Sequence, residues 1–271
     1  EIRMPVIREP VVAGQFYPDT KAELEKMLSG LTDKVKKDDA IGAISPHAGY
    51  IYSGGVAGKV LSRLPERKTF IIIGPNHTGR GMAFSVFPEG KWRTPLGLVD
   101  VDCDMAKRLI QNSDLFEADE AAHAYEHSIE VQIPFLQYLM KDFKILPIII
   151  SSTDMANLKR AGCDIAEMAK AEGANFSIIA SSDMTHYEAQ EAAEKKDKAA
   201  LASILELDEN KLAEKVAGMD ISMCGIAPVI VMLSAAKYLG AKTAELVDYK
   251  TSGEVSGDYA SVVGYGGVII K

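Results

Sequence analysis

Short runs of apolar residues, set between longer stretches of helical periodicity, are the feature that most limits how this chain can fold. Ala40 to Ser45, Thr69 to Gly74, Phe143 to Ile150 and Asn175 to Ala180 are short and apolar without alternation. A strand of that kind must be covered on both faces. Helical stretches are expected at about 54–64, 104–112, 126–141, 154–172, 189–206, 208–217 and 224–239. Strands alternating with helices predict an α/β sandwich, a largely parallel or mixed central sheet flanked by helices. No repeat or long linker divides the 271 residues, so residues 1–271 read as a single domain.

Other segments are less regular. Residues 1–19, with prolines at 5, 10 and 18, read as irregular chain. Thr20-Lys-Ala-Glu23 reads as a capping box opening a short helix that Gly30 ends. In segment 83–101, Phe84, Val86, Trp92, Thr94 and Val99, with Pro-Glu-Gly at 88–90, suggest a β-hairpin at a sheet edge. Ala244 to Tyr249 and Ser261 to Ile270 read as two further strands joined by the Ser/Gly-rich loop Thr251 to Asp258.

Composition narrows the function. Apolar residues are 47% and charged residues 25%, enough for a full core. The net charge of −8 argues against nucleic acid and anionic membrane as partners. The lysines are interleaved with acids, as in Lys34 to Asp39 and Glu191 to Lys198, and read as solvated helix faces. Three cysteines, far apart and odd in number, point to a reducing compartment rather than a disulfide scaffold. No stretch approaches the roughly 18 apolar residues of a membrane-spanning helix. Glu1 to Pro5 lacks the apolar core of a signal peptide, so the expected location is cytoplasmic.

Three apolar runs end alike. Ser45 is followed by Pro46-His47, Gly74 by Pro75-Asn76-His77, and Ser182 by Asp183-Met-Thr-His186. In an open α/β sheet ligands bind beyond the carboxyl ends of the strands. If these strands are parallel neighbours, three of the five histidines and a carboxylate reach one crevice. Any one of these histidines alone would read as a loop or core residue; the set points to a site. Neutral imidazole suits Zn, Cu, Fe and Ni, and a carboxylate or thiolate completes such a set.

Cys224, in Ile221-Ser-Met-Cys224-Gly225, offers the thiolate. Its place at the start of an apolar helix favours a lowered thiol pKa and fast alkylation. Cys103 and Cys163 read as small buried hydrophobes. His123 and His127 share a helical spacing of four but not the His-Glu-x-x-His pattern, and no second metal site is read there. His127, with Glu126 and Glu130 from the helix that follows, and Asn76 are expected to line the pocket. Ser53-Gly-Gly-Val-Ala-Gly58-Lys59-Val60 lacks the first glycine and the closing Ser/Thr of a phosphate loop; close helix–strand packing beside His47 is the expected use. A Gly-x-Ser-x-Gly elbow is absent.

Together, Arg8-Glu-Pro-Val-Val-Ala-Gly14-Gln-Phe-Tyr-Pro18, Ser45-Pro-His47-Ala-Gly-Tyr50, Gly74-Pro-Asn-His77, Glu126-His127-Ser-Ile-Glu130, Ser182-Asp183-Met-Thr-His186 and Ser222-Met-Cys224-Gly225 resemble the signatures of the Memo family, in order along nearly the whole chain. The resemblance implies a fold similar to class III, non-haem iron extradiol dioxygenases, with a metal in a surface pocket. It implies His47 and His77 as metal ligands, His186 as the acid/base histidine with Asp183 beside it, and Cys224 where the dioxygenases use a carboxylate. That replacement departs from simple extradiol chemistry. The resemblance also implies Fe(II) or Cu as cofactor. For prokaryotic members it implies a pathway shared with a radical-SAM protein and an AMMECR1-domain protein; for the animal member, an adaptor role in receptor signalling.

Three readings follow. The first is an iron- or copper-dependent redox enzyme acting on a small or peptide-borne substrate, with the metal on His47, His77 and Cys224, Asp183 orienting and His186 moving protons. The second is a non-catalytic adaptor that binds a peptide or small ligand in a vestigial pocket. The third is zinc-dependent hydrolysis.

Overall fold

Strands that are apolar on both faces need a covered sheet, and the computed structural model of the protein provides one. It describes residues 6–171, 173 and 175–271. The first half of the chain runs β1 (Ile7–Arg8), α1 (Lys21–Leu31), β2 (Gly42–Ser45), α2 (Tyr50–Ser62), β3 (Thr69–Pro75), β4 (Phe84–Val86), β5 (Lys91–Thr94), β6 (Gly97–Val101), α3 (Cys103–Asn112) and β7 (Glu117–Ala118). A 3-10 turn (Glu130–Gln132) then leads into α4 (Ile133–Leu139). There follow β8 (Lys144–Ile150), α5 (Met155–Ala171), β9 (Phe176–Ser181), β10 (His186–Glu188), α6 (Gln190–Leu205), α7 (Glu209–Gly218), α8 (Ile226–Tyr238), β11 (Ala244–Thr251), α9 (Gly253–Ser256) and β12 (Val262–Ile270).

The strands form one mixed sheet in the order β1-β5-β6-β8-β3-β9-β2-β12-β10, with β11 also on β12 and β4 on β8 and β7. Its centre, β8-β3-β9-β2, is parallel. Side chains alternate across the pleat. Ile71 and Ile73 face a core shared with α3, α5 and α8, while Phe70 and Ile72 face one shared with α1, α2 and α4. Burying one such side chain contributes about 1.5–3 kcal/mol. The strands are therefore fixed by packing, and freedom to carry polar groups is left to the loops beyond their ends.

Several details differ from the sequence reading. The edge hairpin is β5–β6, turning at Pro95-Leu96, because Thr94 pairs with Gly97; Pro88-Glu-Gly90 is a bend between strands that do not pair. The helix expected at 126–141 starts only with the turn at Glu130. The Glu126 carboxylate accepts the His127 and Ser128 N–H groups, each at 2.9 Å, and this local bonding competes with the helix. Thr20 donates to Glu23 at 2.7 Å instead of capping backbone, and Gly30 lies inside α1. Residues 1–5 and 172, part of the irregular and helical stretches expected above, lie outside the described residues, but Ile7–Arg8 pair with β5. Gly54 and Gly58 of α2 serve helix–helix contact: a Cβ on Gly58 would run into the Leu31 carbonyl oxygen at the end of α1. Among the described residues no helix is long and apolar enough to cross a membrane.

Gly58 and Gly55 of α2 give a paired prediction. Gly58→Ala should cost about 1–3 kcal/mol, the usual range for overpacking. Gly55 has nothing within 4 Å of an added Cβ, so Gly55→Ala should stabilise by roughly 0.5–1 kcal/mol. Urea unfolding of both variants checks this; equal effects would contradict the α1–α2 contact.

Candidate metal centre

The register of the parallel strands builds the site. Ser45 pairs with Ser181 and Ile73 with Ala180, so β2, β9 and β3 end nearly level. The next residues, Pro46-His47, Ser182-Asp183 and Asn76-His77, emerge side by side. Cys224 arrives from the loop before α8. Gly225, the helix N-cap, has no room for a Cβ against Ser181 and Ser182. Its N–H donates to Ser182 Oγ at 3.1 Å, which holds Cys224 against the strand ends. One donor atom from each of His47, His77 and Cys224 lies within 4.8 Å of the others. His47 Nε2 is 3.3 Å from Cys224 Sγ.

Hydrogen bonds decide which ring nitrogen each imidazole offers. Ser181 Oγ gives its one proton to the Ser128 carbonyl at 2.6 Å and accepts from Gln132 Nε2 at 2.9 Å. It can only accept from His47 Nδ1, at 2.8 Å, so Nδ1 carries the proton and Nε2 keeps its lone pair. His77 Nδ1 lies 2.9 Å from the Glu126 carboxylate, and His186 Nδ1 lies 2.9 Å from the Ser222 carbonyl. Both partners are acceptors, so in each of the three histidines Nδ1 carries the proton and Nε2 keeps its lone pair, that of His47 facing Cys224 Sγ.

Glu126 anchors the His77 side. Its buried carboxylate also accepts the His77 N–H at 2.6 Å. Burial pushes this carboxyl up, but the hydrogen bond and charge of His77, with the backbone N–H groups, hold it at about 2. Burial in turn lowers His77, and Glu126 with Asp183 outweighs it, leaving His77 above its ordinary pKa. The His127 ring stacks on His77 with centroids 4.7 Å apart and meets Phe16 edge-on at 4.9 Å. His77, Glu126 and His127 form a second cluster of potential ligands, but four N–H groups already occupy the Glu126 oxygens. Asn76 turns its side chain to its own loop, accepting from Thr78 and Gly79 and donating to the Arg80 carbonyl. His123 is buried beside Phe87 and Trp92, away from the cluster, and burial lowers it to about 3.

The N-terminal Arg8–Pro18 segment buttresses this arrangement. Arg8 pairs with buried Glu130 and donates to the Glu126 carbonyl at 2.6 Å. Glu130 also accepts from Tyr17 Oη at 2.6 Å and from the Val11 and Val12 N–H groups. Ser181, Gln132 and Arg8 are the working residues that sequence reasoning missed as site residues, while Glu130, expected to line the crevice from a helix, instead holds the N-terminal segment. A glutamate and a glutamine two apart, Glu130 and Gln132, within the otherwise apolar Ile129–Leu136, were the available signal.

Asp183 Oδ1 accepts the His47 N–H at 2.7 Å, and the Asp183 N–H donates to Cys224 Sγ at 3.3 Å. Burial raises the Asp183 carboxyl to about 6 against those hydrogen bonds and the nearby imidazoles. Burial lowers His47 well below an ordinary imidazole, and the charges of His127, His77 and His186 add to it. Cys224 corrects the sequence reading. The residue is partly exposed but its sulfur is enclosed, and burial followed by the Asp183 charge pushes the thiol up, outweighing its place ahead of the helix. Cys103 is exposed at the start of α3 and Cys163 half-buried, so neither is the buried hydrophobe expected.

The donors suit a metal ion. Tetrahedral ligands at nitrogen and sulfur bond lengths lie roughly 3.3–3.7 Å apart, close to the His47–Cys224 separation, and two imidazole lone pairs with a sulfur are a set that iron, copper or zinc accepts. Fold and cluster together define an α/β protein with a histidine–cysteine cluster at the carboxyl ends of parallel strands.

Residues 8–269 match the family described as Memo-like protein. A MEMO1 family protein of Methanococcoides burtonii is 46% identical over 270 residues, covering 98% of this chain and 100% of its own. One of Nitrosopumilus maritimus is 44% identical over 276 residues, covering 97% and 99%. The crystal structure of an uncharacterized protein, JW3007, from Escherichia coli K12 shares the fold, with a TM-score of 0.58 over 84% of this chain and 98% of that one at 13% identity. The chain belongs to the Memo family.

Thiol labelling tests the electrostatics. In metal-free protein near neutral pH, iodoacetamide should modify Cys103 well before Cys224, whose sulfur is enclosed and protonated. Mass spectrometry showing Cys224 labelled first would contradict this.

Proposed function

We propose that this protein is a metal-dependent redox enzyme of the Memo family, holding Fe(II) or Cu on His47, His77 and Cys224 and acting on a small or peptide-borne substrate. The supporting observation is the convergence of two imidazole lone pairs and a sulfur, each oriented by hydrogen bonds, beside a carboxyl group and a further imidazole with a free Nε2. A bound iron or copper would supply one-electron chemistry that amino-acid side chains lack.

The remaining roles belong to the chain. Asp183 orients the His47 backbone and the Cys224 sulfur together. His186 lies three residues past Asp183, and its charge acts on both His47 and Asp183. With Nδ1–H committed to Ser222, its Nε2 can accept a proton from substrate and return it. Glu126 locks His77, and burial of His47 keeps its side of the site from bulk water. In metal-free protein the Cys224 S–H can donate to His47 Nε2, so binding an ion releases that proton.

His47→Ala and His77→Ala should each lose metal, read by elemental analysis, while remaining folded. His186→Ala should keep metal yet slow oxygen uptake ~10²–10⁴-fold, the usual loss for one acid–base group. The assay compares iron- or copper-loaded variants with catechols, thiols and peptides as substrates. Metal retained in both ligand variants would refute the ligand set, and equal uptake would remove His186 from the mechanism. Zinc with hydrolysis would favour the hydrolase reading. Saturable peptide binding without uptake would favour the adaptor.

A further inference from the structure

A second carboxylate is buried behind the acid–base half of the site. Asp197, on α6, is 0% exposed. Its Oδ1 accepts the Thr185 N–H at 2.9 Å and its Oδ2 accepts from Tyr249 Oη at 2.7 Å. Gly264 of β12 has no room for a Cβ because Asp197 Oδ2 occupies that place. Burying a carboxylate is costly, and two neutral donors repay only part of the loss. The position of the acceptor therefore matters more than the stability it returns.

That acceptor sits between the two site residues. The chain crosses from Asp183 to His186 in three steps. The Met184 N–H donates to the Gly264 carbonyl at 2.8 Å, and the Gly264 N–H returns to the Thr185 carbonyl at 2.9 Å. Asp197 takes the Thr185 N–H. His186 then docks on Ser222, with its N–H on Oγ at 2.7 Å and Nδ1–H on the carbonyl. Directly afterwards the backbone leaves the ladder: Tyr187 has φ 60° and the β10–β12 register shifts between His186 and Glu188. A bulge of this kind re-aims a side chain. The bulge breaks the ladder just beyond His186, so the approach to that residue is held by the Gly264 bonds, by Ser222 and by Asp197 on the Thr185 N–H.

We propose that Asp197 is a positioning residue: by accepting the Thr185 N–H it holds the Asp183–His186 crossing so that His186 keeps its Nδ1–H on Ser222 and its Nε2 free toward the pocket. The proposal rests on the role given to His186 above. Its test reads the imidazole itself, so a failed redox assay and a failed positioning role are told apart.

The experiment is nitrogen NMR of the full, metal-free chain labelled with ¹⁵N-histidine, at pH about 8.5, two units above an ordinary imidazole. His186 is assigned by its disappearance in His186→Gln. Wild type should show His186 protonated on Nδ1 alone. Asp197→Asn, which keeps an acceptor for Thr185, should preserve that signature, as should Tyr249→Phe, which removes only the contact to β11. Asp197→Ala should lose it, giving the mixed tautomers of a free imidazole, while His47 and His77 stay unchanged. If Asp197→Ala does not fold, Gly264→Ala, which drives the carboxylate from its place, should give the same loss. An unchanged His186 in the folded acceptor-loss variant, equal movement of His47 and His77, or loss of the signature in Asp197→Asn would each overturn the proposal.

Discussion

The parallel register of β2, β9 and β3 sets where the loops that carry His47, Asp183 and His77 begin. With Ser45 level with Ser181 and Ile73 with Ala180, the first loop residues past the strands emerge within reach of one another. A slip of one residue would turn each strand's side chains to the opposite face. The hydrophobic packing that fixes the register therefore also fixes where the imidazoles stand. Packing energy and site geometry are set by the same strands.

Around that frame lie successive acceptors. Ser181, Glu126 and the Ser222 carbonyl each take an Nδ1–H, and each acceptor is held by a further group: Gln132 on Ser181, His127 and Ser128 backbone on Glu126, His186 backbone on Ser222. Arg8 and Glu130, both buried, tie the N-terminal segment to the loop that bears Glu126 and His127. Buried charges of this kind contribute little net stability but strongly penalise alternative arrangements once one partner is fixed. Conversely, Asp183 carries a carboxyl that burial disfavours in its charged form, a cost accepted at the pocket itself.

Much of this was legible in the sequence. Unbroken apolar runs marked the four central strands, and the histidines directly after them marked the pocket, because both signals are local. The features that were not legible depend on tertiary neighbours. Glu126 was expected in a helix, but its carboxylate caps its own loop and His77, which no periodicity reveals. The helix-start argument for Cys224 was sound locally and lost to enclosure and to Asp183, a residue 41 positions away. The hairpin was placed in the right segment, yet its turn fell at Pro95-Leu96, since β4 pairs with β8. The tautomers of His47, His77 and His186 required all three acceptors to be in view.

If His47, His77 and Cys224 hold one ion, that ion has two nitrogens and one sulfur from the chain as neighbours. X-ray absorption at the edge of the bound metal tests this directly. One sulfur neighbour is expected, at about 2.3 Å if the ion is zinc, beside imidazole nitrogens, with the sulfur signal lost in Cys224→Ser. A wild-type spectrum with only nitrogen and oxygen neighbours would contradict it.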